Sequence, residues 1–328
     1  MYNKVGDFMK IPKYLKDNDC IGITACSCGV LDKIGEYEES IKRLNNYKII
    51  ETNNVRTSGM VSSDKKVRAK ELMELYTNKD IKCILVASGG DFLLDMLDEI
   101  DYDVIKNNLK WICGYSDPTS LLFSITTKLD IPTIYSPCNS SGLVNDISID
   151  NYLNILKGNL VKQYKRDKYE RLSNGTNEYN LEKDNIWISS NDIDISGRLI
   201  GGCIDSLKDL IGTKFDNTKK YINKYKDDGI IWYFDVFGLT AESLYNTLIQ
   251  FKYAGYFDNT KLIVFSKVCY PSTFVGLTYD DAIKNALDGI DYIYKFDFGH
   301  IKPSFTMING FKVRIINNNK ESSMEYID

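Results

Sequence analysis

The chain holds a single histidine, His300, in 328 residues. Imidazole titrates near neutrality and is the commonest general base. Any histidine-dependent proton transfer within the chain therefore runs through this residue, and a zinc site built on two or more imidazoles is excluded. His300 follows Phe298-Gly299 and precedes Ile301-Lys302-Pro303. That loop setting suits a catalytic base or a surface histidine with a local hydrogen bond. A candidate nucleophile lies in Cys113-Gly114-Tyr115-Ser116-Asp117-Pro118-Thr119. An apolar strand ends there and an Asp-Pro helix start follows, so Ser116 falls on a strand-to-helix turn. Backbone N–H groups and the positive dipole end of a helix stabilise a developing oxyanion at such a turn. The logic is that of a G-x-S-x-G elbow, but Pro118 holds the last position and has no N–H, which leaves Asp117 N–H as the nearest donor. Ser116 and Asp117 also suit a plain helix cap, and spacing alone favours the cap.

Two other segments bear on the same chemistry. Paired glycines in Ala87-Ser88-Gly89-Gly90-Asp91 let the backbone approach a ligand. They suit an anion nest, a second oxyanion donor or simply a tight turn. Neither G-x-G-x-x-G nor a Walker lysine is present, which argues against phosphate cradling. Asp235 directly follows the apolar run GIIWYF. A carboxylate at a strand's carboxyl end can orient an imidazole and stabilise its protonated form, or it can cap the next helix. Glu242 is a nearby alternative inside that helix. A cysteine nucleophile at Cys113 or Cys138 is a weaker route, since Cys113 sits within an apolar strand and reads as inert.

Composition narrows the class. There are 41 Lys+Arg and 45 Asp+Glu, a net charge of −4, which offers no electrostatic footprint for nucleic acid or an anionic membrane. The 8 cysteines are scattered through a long chain, which points to reduced thiols and a cytoplasmic protein. Cys26-Ser27-Cys28 has no second close pair, so no metal is expected, and no motif calls for a cofactor. The first residues lack the apolar core of a signal peptide. No apolar run approaches the ~20 residues that span a bilayer.

These residues need strands and helices to hold them. Apolar runs at 20–25, 47–51, 81–87, 111–115 and 131–135 read as strands. Helical patterns at 37–44, 63–76 (capped by Ser62 or Ser63), 117–128 and 148–157 alternate with them. Near-continuous apolar strands between helices imply a parallel sheet covered on both faces, with ligands at the strands' carboxyl ends. Residues 163–184 turn polar and read as a linker or exposed crossing segment. Beyond them, strands are expected at 186–189, 193–200, 229–234, 262–266, 292–294 and 310–315. Helical stretches are expected at 204–211 and 242–253, giving a mixed α/β second half.

Several segments, in order along the chain, make it resemble the LD-carboxypeptidase family, which includes the microcin C immunity proteins. They are Gly22-Ile23-Thr24-Ala25-Cys26-Ser27, residues 63–72 with Arg68, Ser88-Gly89-Gly90-Asp91, Gly114-Tyr115-Ser116-Asp117-Pro118-Thr119, Gly197-Arg198-Leu199-Ile200-Gly201-Gly202-Cys203 and Gly299-His300. The Gly-Tyr-Ser-Asp-x-Thr segment is the most specific. The resemblance implies an α/β fold: a flavodoxin-like domain over residues 1–160, a linker or crossing segment over 161–185, and a swivelling β/β/α domain over 186–328. It implies a cytoplasmic, homodimeric serine peptidase with a Ser–Glu–His triad and no metal. Ser116 matches the nucleophile and His300 the base, with the Gly89-Gly90 turn and Asp117 N–H as the oxyanion region. Gly89, Asp91 and Trp187 fall among the substrate-binding positions.

Where the family has its triad glutamate, this chain has Asp235, one methylene shorter. It reaches His300 only if the backbone comes closer. The alternative is a weakened or inactive member that binds a peptide or nucleotide in the same cleft. Ser88 and Cys203 replace an arginine and an asparagine common in the family. The substrates implied are murein tetrapeptides or aminoacyl nucleotide antibiotics, with a slight lean to the latter. For those, an aromatic side chain, Trp187 or Tyr179, would stack the nucleobase, although both also suit packing.

Overall fold

The computed structural model describes residues 9–136, 148–170 and 181–327. Cys138 and Tyr179 lie outside the described residues. The first half alternates β1 (Cys20–Thr24), α1 (Ile34–Lys42), β2 (Lys48–Glu51), α2 (Lys65–Thr77), β3 (Ile81–Val86), α3 (Tyr102–Asn107), β4 (Trp111–Gly114), α4 (Thr119–Leu129) and β5 (Thr133–Tyr135). These strands lie in the order β2-β1-β3-β4-β5 and are all parallel. That is the flavodoxin-like winding, with its switch point between β1 and β3. β1, β4 and β5 are buried throughout, which is why they read as unbroken apolar runs. α2 starts at Lys65 and is capped by Asp64, whose carboxylate accepts from Lys66 N–H. The cap is thus neither Ser62 nor Ser63, and Ser62 instead donates to Ala25 O at 2.7 Å.

The rest of the chain supplies α5 (Ile149–Leu156), β6 (Gln163–Tyr164), β7 (Lys168–Glu170), β8 (Leu181–Asp184), β9 (Ile188–Ser189), β10 (Ile193–Cys203), α6 (Ile204–Leu207), α7 (Thr218–Lys224), β11 (Ile230–Asp235), α8 (Ala241–Tyr253), β12 (Thr260–Ser266), α9 (Tyr279–Ala286), β13 (Tyr292–Phe296), β14 (Met307–Asn309), β15 (Lys312–Asn317) and β16 (Ser322–Tyr326). A second sheet runs β6-β16-β15-β10-β11-β12-β13-β9. Its centre, β10 to β13, is parallel and its flanks are antiparallel. The chain is thus α/β, with a parallel-dominated sheet in its N-terminal part and a mixed sheet in its C-terminal part.

Two features depart from the sequence reading. The described residues of the polar stretch over 163–184 carry strands of their own: β6 is an edge strand of the second sheet, and β7 pairs with β8. Gln163 is wholly buried and exchanges two hydrogen bonds with the Thr306 backbone, at 3.0 and 2.9 Å. Second, β14 returns to the first sheet and pairs antiparallel with β5. Among the described residues, every cysteine is a free thiol, no group of side chains could hold a metal ion, and no helix is long and apolar enough to cross a membrane.

Candidate active site

Ser116 lies between β4 and α4 with φ of +67°, a left-handed conformation that costs a side-chain-bearing residue ~1–2 kcal/mol. The tight elbow lifts its hydroxyl above the carboxyl end of the sheet. Ser116 N–H donates to the Tyr135 hydroxyl at 3.2 Å, and Ser116 O accepts from Thr119 N–H at 2.9 Å. The turn after β3 passes directly over this elbow. A Cβ on Gly89 would lie 2.9 Å from Ser116 Cβ, and one on Gly90 would lie 2.3 Å from Ser27 Oγ. Only glycine fits either position.

A buried polar clamp fixes that turn. The Asp117 carboxylate accepts from Ser27 Oγ at 2.5 Å and Leu93 N–H at 3.0 Å. Arg68, almost wholly buried, donates to Cys26 O at 2.7 Å and Phe92 O at 3.0 Å, and pairs with Asp95 at 2.9 Å. Burial pushes the Asp117 carboxyl above the ordinary range despite the hydrogen bonds from Ser27 and Leu93. Among the described residues, neither Gly90 N–H nor Asp117 N–H donates to a protein acceptor.

Asp235 and His300 come from the second sheet. Asp235 ends β11 and is completely buried. His300 Nδ1 lies 2.8 Å from Asp235 Oδ2, and His300 Nε2 lies 3.3 Å from Ser116 Oγ. Three more donors surround the carboxylate. Tyr135 O–H reaches Oδ2 at 2.5 Å, while Ser266 Oγ and His300 N–H reach Oδ1 at 3.0 and 3.3 Å. Burial pushes Asp235 upward, but the His300 imidazolium and the hydrogen bonds from His300, Tyr135 and Ser266 outweigh it and hold the carboxyl below its ordinary range.

The loop that carries His300 runs directly against this carboxylate. Gly299 has φ of +89°, and a Cβ there would lie 2.1 Å from Asp235 Oδ1. The His300 ring is packed between Tyr115 and Phe237, with centroids 4.4 and 4.5 Å away. Behind it, Asp297 anchors the loop through Lys267 Nζ at 2.5 Å, Asn185 Nδ2 at 2.7 Å and Arg166 N–H at 3.0 Å.

The structure therefore brings Ser116, Asp235, His300, Gly89, Gly90 and the Asp117 N–H together, with Asp91 exposed beside them. It does not do so for Trp187. That ring is buried and stacks on Phe296 at 4.1 Å and against Phe305, inside the second-sheet core. It buttresses the strand before His300. Glu242 is also elsewhere, accepting from Thr273 Oγ1, Phe274 N–H and Val275 N–H. Cys113 is buried. Tyr135 and Ser266 escaped the sequence reading. Their signal is a polar atom at the carboxyl end of a strand, Tyr135 in β5 and Ser266 in β12.

The LD-carboxypeptidase N-terminal domain model matches residues 21–136, and the C-terminal domain model matches residues 196–315. The microcin C7 self-immunity protein MccF of Escherichia coli is 27% identical over 276 residues, covering 79% of this chain and 78% of that protein. A solved structure of MccF in complex with aspartyl sulfamoyl adenosine has a TM-score of 0.83 at 23% identity, over 97% of this chain and 98% of that one. Muramoyltetrapeptide carboxypeptidase from Oxalobacter formigenes has a TM-score of 0.73 at 18% identity, over 94% of this chain and 99% of that one. At those identities the two structures speak to fold. With both domain models matched in order along it, the chain belongs to the LD-carboxypeptidase family of serine peptidases.

Proposed function

We propose that the protein is a serine carboxypeptidase-type amide hydrolase in which Ser116, His300 and Asp235 form the triad. The observation that carries this reading is the unbroken line Asp235–His300–Ser116 at 2.8 and 3.3 Å. Ser116 Oγ attacks the amide carbonyl carbon and passes its proton to His300 Nε2. Asp235 orients the ring and stabilises the imidazolium. The carbonyl oxygen becomes an oxyanion held by Gly90 N–H and Asp117 N–H. As the C–N bond breaks, His300 returns the proton to the leaving nitrogen. Water then attacks the acyl-enzyme, giving one proton to His300, which passes it to Ser116 Oγ as the acyl C–O bond breaks and the acid product leaves.

The substrate we favour is an aminoacyl nucleotide, with murein-type peptides second. The Escherichia coli relative, a self-immunity protein, spans most of the chain, and its solved complexes hold aspartyl sulfamoyl adenosine and glutamyl sulfamoyl guanosine. The test pairs a fluorophosphonate probe with hydrolysis of an aminoacyl sulfamoyl adenosine and of a murein tetrapeptide. The probe is expected to label Ser116. Ser116→Ala should abolish labelling and lower turnover by at least ~10³-fold. Full turnover by Ser116→Ala would overturn the triad. Tight ligand binding with neither labelling nor turnover would make the protein a binding module.

A further inference from the structure

We propose that Tyr135 is a positioning residue that couples the nucleophile's backbone to the triad carboxylate, so that the acid, base and nucleophile are set by one buried phenol. The inference rests on the triad reading above. Its support is the placement of a single oxygen. The Tyr135 hydroxyl accepts from Ser116 N–H at 3.2 Å and donates to Asp235 Oδ2 at 2.5 Å. Oδ2 is the same oxygen that faces His300 Nδ1 at 2.8 Å. The ring is buried against Tyr115 and Tyr233, so water does not replace the phenol if it is removed.

Two consequences follow. The phenol gives the Ser116 N–H a partner in a left-handed elbow, where an unpaired buried donor would favour relaxation. It also draws negative charge from the oxygen that faces the imidazole. Tyr135 is thus predicted to act on geometry through Ser116 and on proton affinity through Asp235. A residue that merely fills space does neither.

Other ionisable groups bear on the same centre. Tyr115 follows β4, Cys203 ends β10, Tyr233 lies in β11 and Cys269 follows β12. Burial pushes all four upward, which keeps them neutral at neutral pH. Asp235, Glu170 in β7 and Asp205 in α6 are the neighbouring carboxylates. Glu170 accepts from Lys302 N–H, and Asp205 accepts from Phe237 and Gly238 N–H. Asp235 is the carboxylate hydrogen-bonded to the imidazole and to Tyr135, so a change at Tyr135 reaches His300 through it.

The single histidine makes the experiment direct. One imidazole titrates in the NMR spectrum of the whole chain, and its midpoint needs no substrate. In Tyr135→Phe the midpoint should rise by about one pH unit, the loss expected of one charge-assisted hydrogen bond to the carboxylate. The acid limb of kcat/KM should rise with it. At its optimum kcat should fall about tenfold with KM unchanged. Ser266→Ala removes a donor from Oδ1 and leaves the Ser116 N–H bonded. It should raise the midpoint while costing less in kcat, and it keeps the test open if Tyr135→Phe melts. An unshifted midpoint in folded Tyr135→Phe, or a loss in KM alone, would overturn the proposal. A shifted midpoint without turnover of any substrate would leave the coupling standing and remove the hydrolase reading instead.

Discussion

Asp235 is enclosed by backbone as closely as by side chains. Its carboxylate is wholly buried, takes four donors and touches the bare Cα of Gly299. A glutamate would have to fit one more methylene into that closed shell. Overpacking of this kind costs ~1–3 kcal/mol and displaces the groups it meets. Asp235→Glu is therefore expected to lower kcat by about 10- to 100-fold, since ~1 Å of misplacement carries such a loss. Paired kinetics and melting of the two proteins measure it; a faster Asp235→Glu enzyme would mean the shell has room. Asp117 carries a prediction of opposite electrostatic sign. Burial raises its pKa in the folded state, so its ionised form costs stability above the folded pKa. Below the unfolded value of about 4 both states are protonated and the cost vanishes. Asp117→Asn keeps an acceptor for Ser27 and Leu93. It should melt at or above wild type at neutral pH, and that advantage should fade as pH falls through the carboxylate range. A constant or inverted difference across pH would refute it.

Elements buried on both faces were legible in the sequence, and elements whose burial depends on distant partners were not. β1, β4 and β11 stand out as apolar runs because they are buried along their whole length. The Ser116 turn and the Gly89-Gly90 turn were legible for a related reason: each needs a residue type that few other positions demand. By contrast, β14 is three residues long and pairs with β5, some 170 positions earlier. α7 and α9 are short and rich in charge. Gln163 and Asn185 look like solvated polar residues until their partners Thr306 and Asp297 are placed beside them. Trp187 is the reverse case, an aromatic that suits a ligand in sequence and is taken up by Phe296 in the fold. The loop carrying His300 depends on one such hidden pairing, the buried Lys267–Asp297 ion pair. Removing one member of a buried pair leaves the other uncompensated and typically costs ~3–5 kcal/mol. Lys267→Met should lose stability on that scale in urea unfolding, and Lys267→Met combined with Asp297→Leu should lose less than the sum of the two single changes. Strict additivity would show that the two charges are not coupled.

At the scale of the whole molecule, Ser116 sits on one sheet while Asp235 and His300 sit on the other, so the proposed triad depends on the two being held in register. Several buried contacts do this. Tyr135 bonds Asp235, Cys203 N–H donates to Thr119 Oγ1 at 2.8 Å, and Tyr225 O–H reaches Asp130 Oδ1 at 2.5 Å. The most connected is Asn309, which ends β14 in the first sheet. Its Oδ1 accepts from Gly201 N–H at 3.0 Å and Tyr233 O–H at 2.9 Å in the second sheet, and its Nδ2 donates to Thr133 Oγ1 at 3.3 Å. Asn309→Ala strands two buried donors at the seam, for a cost of ~2–4 kcal/mol. Because β14 pairing and the other contacts remain, the sheets should still unfold together. Trp111 in the first sheet and Trp232 in the second should report one midpoint, coincident with circular dichroism. kcat should fall in the same variant, since Ser116 and His300 are aligned only across this seam. Two separated transitions in wild type would mean that the sheets are independent units and that the register of the triad is set only on binding.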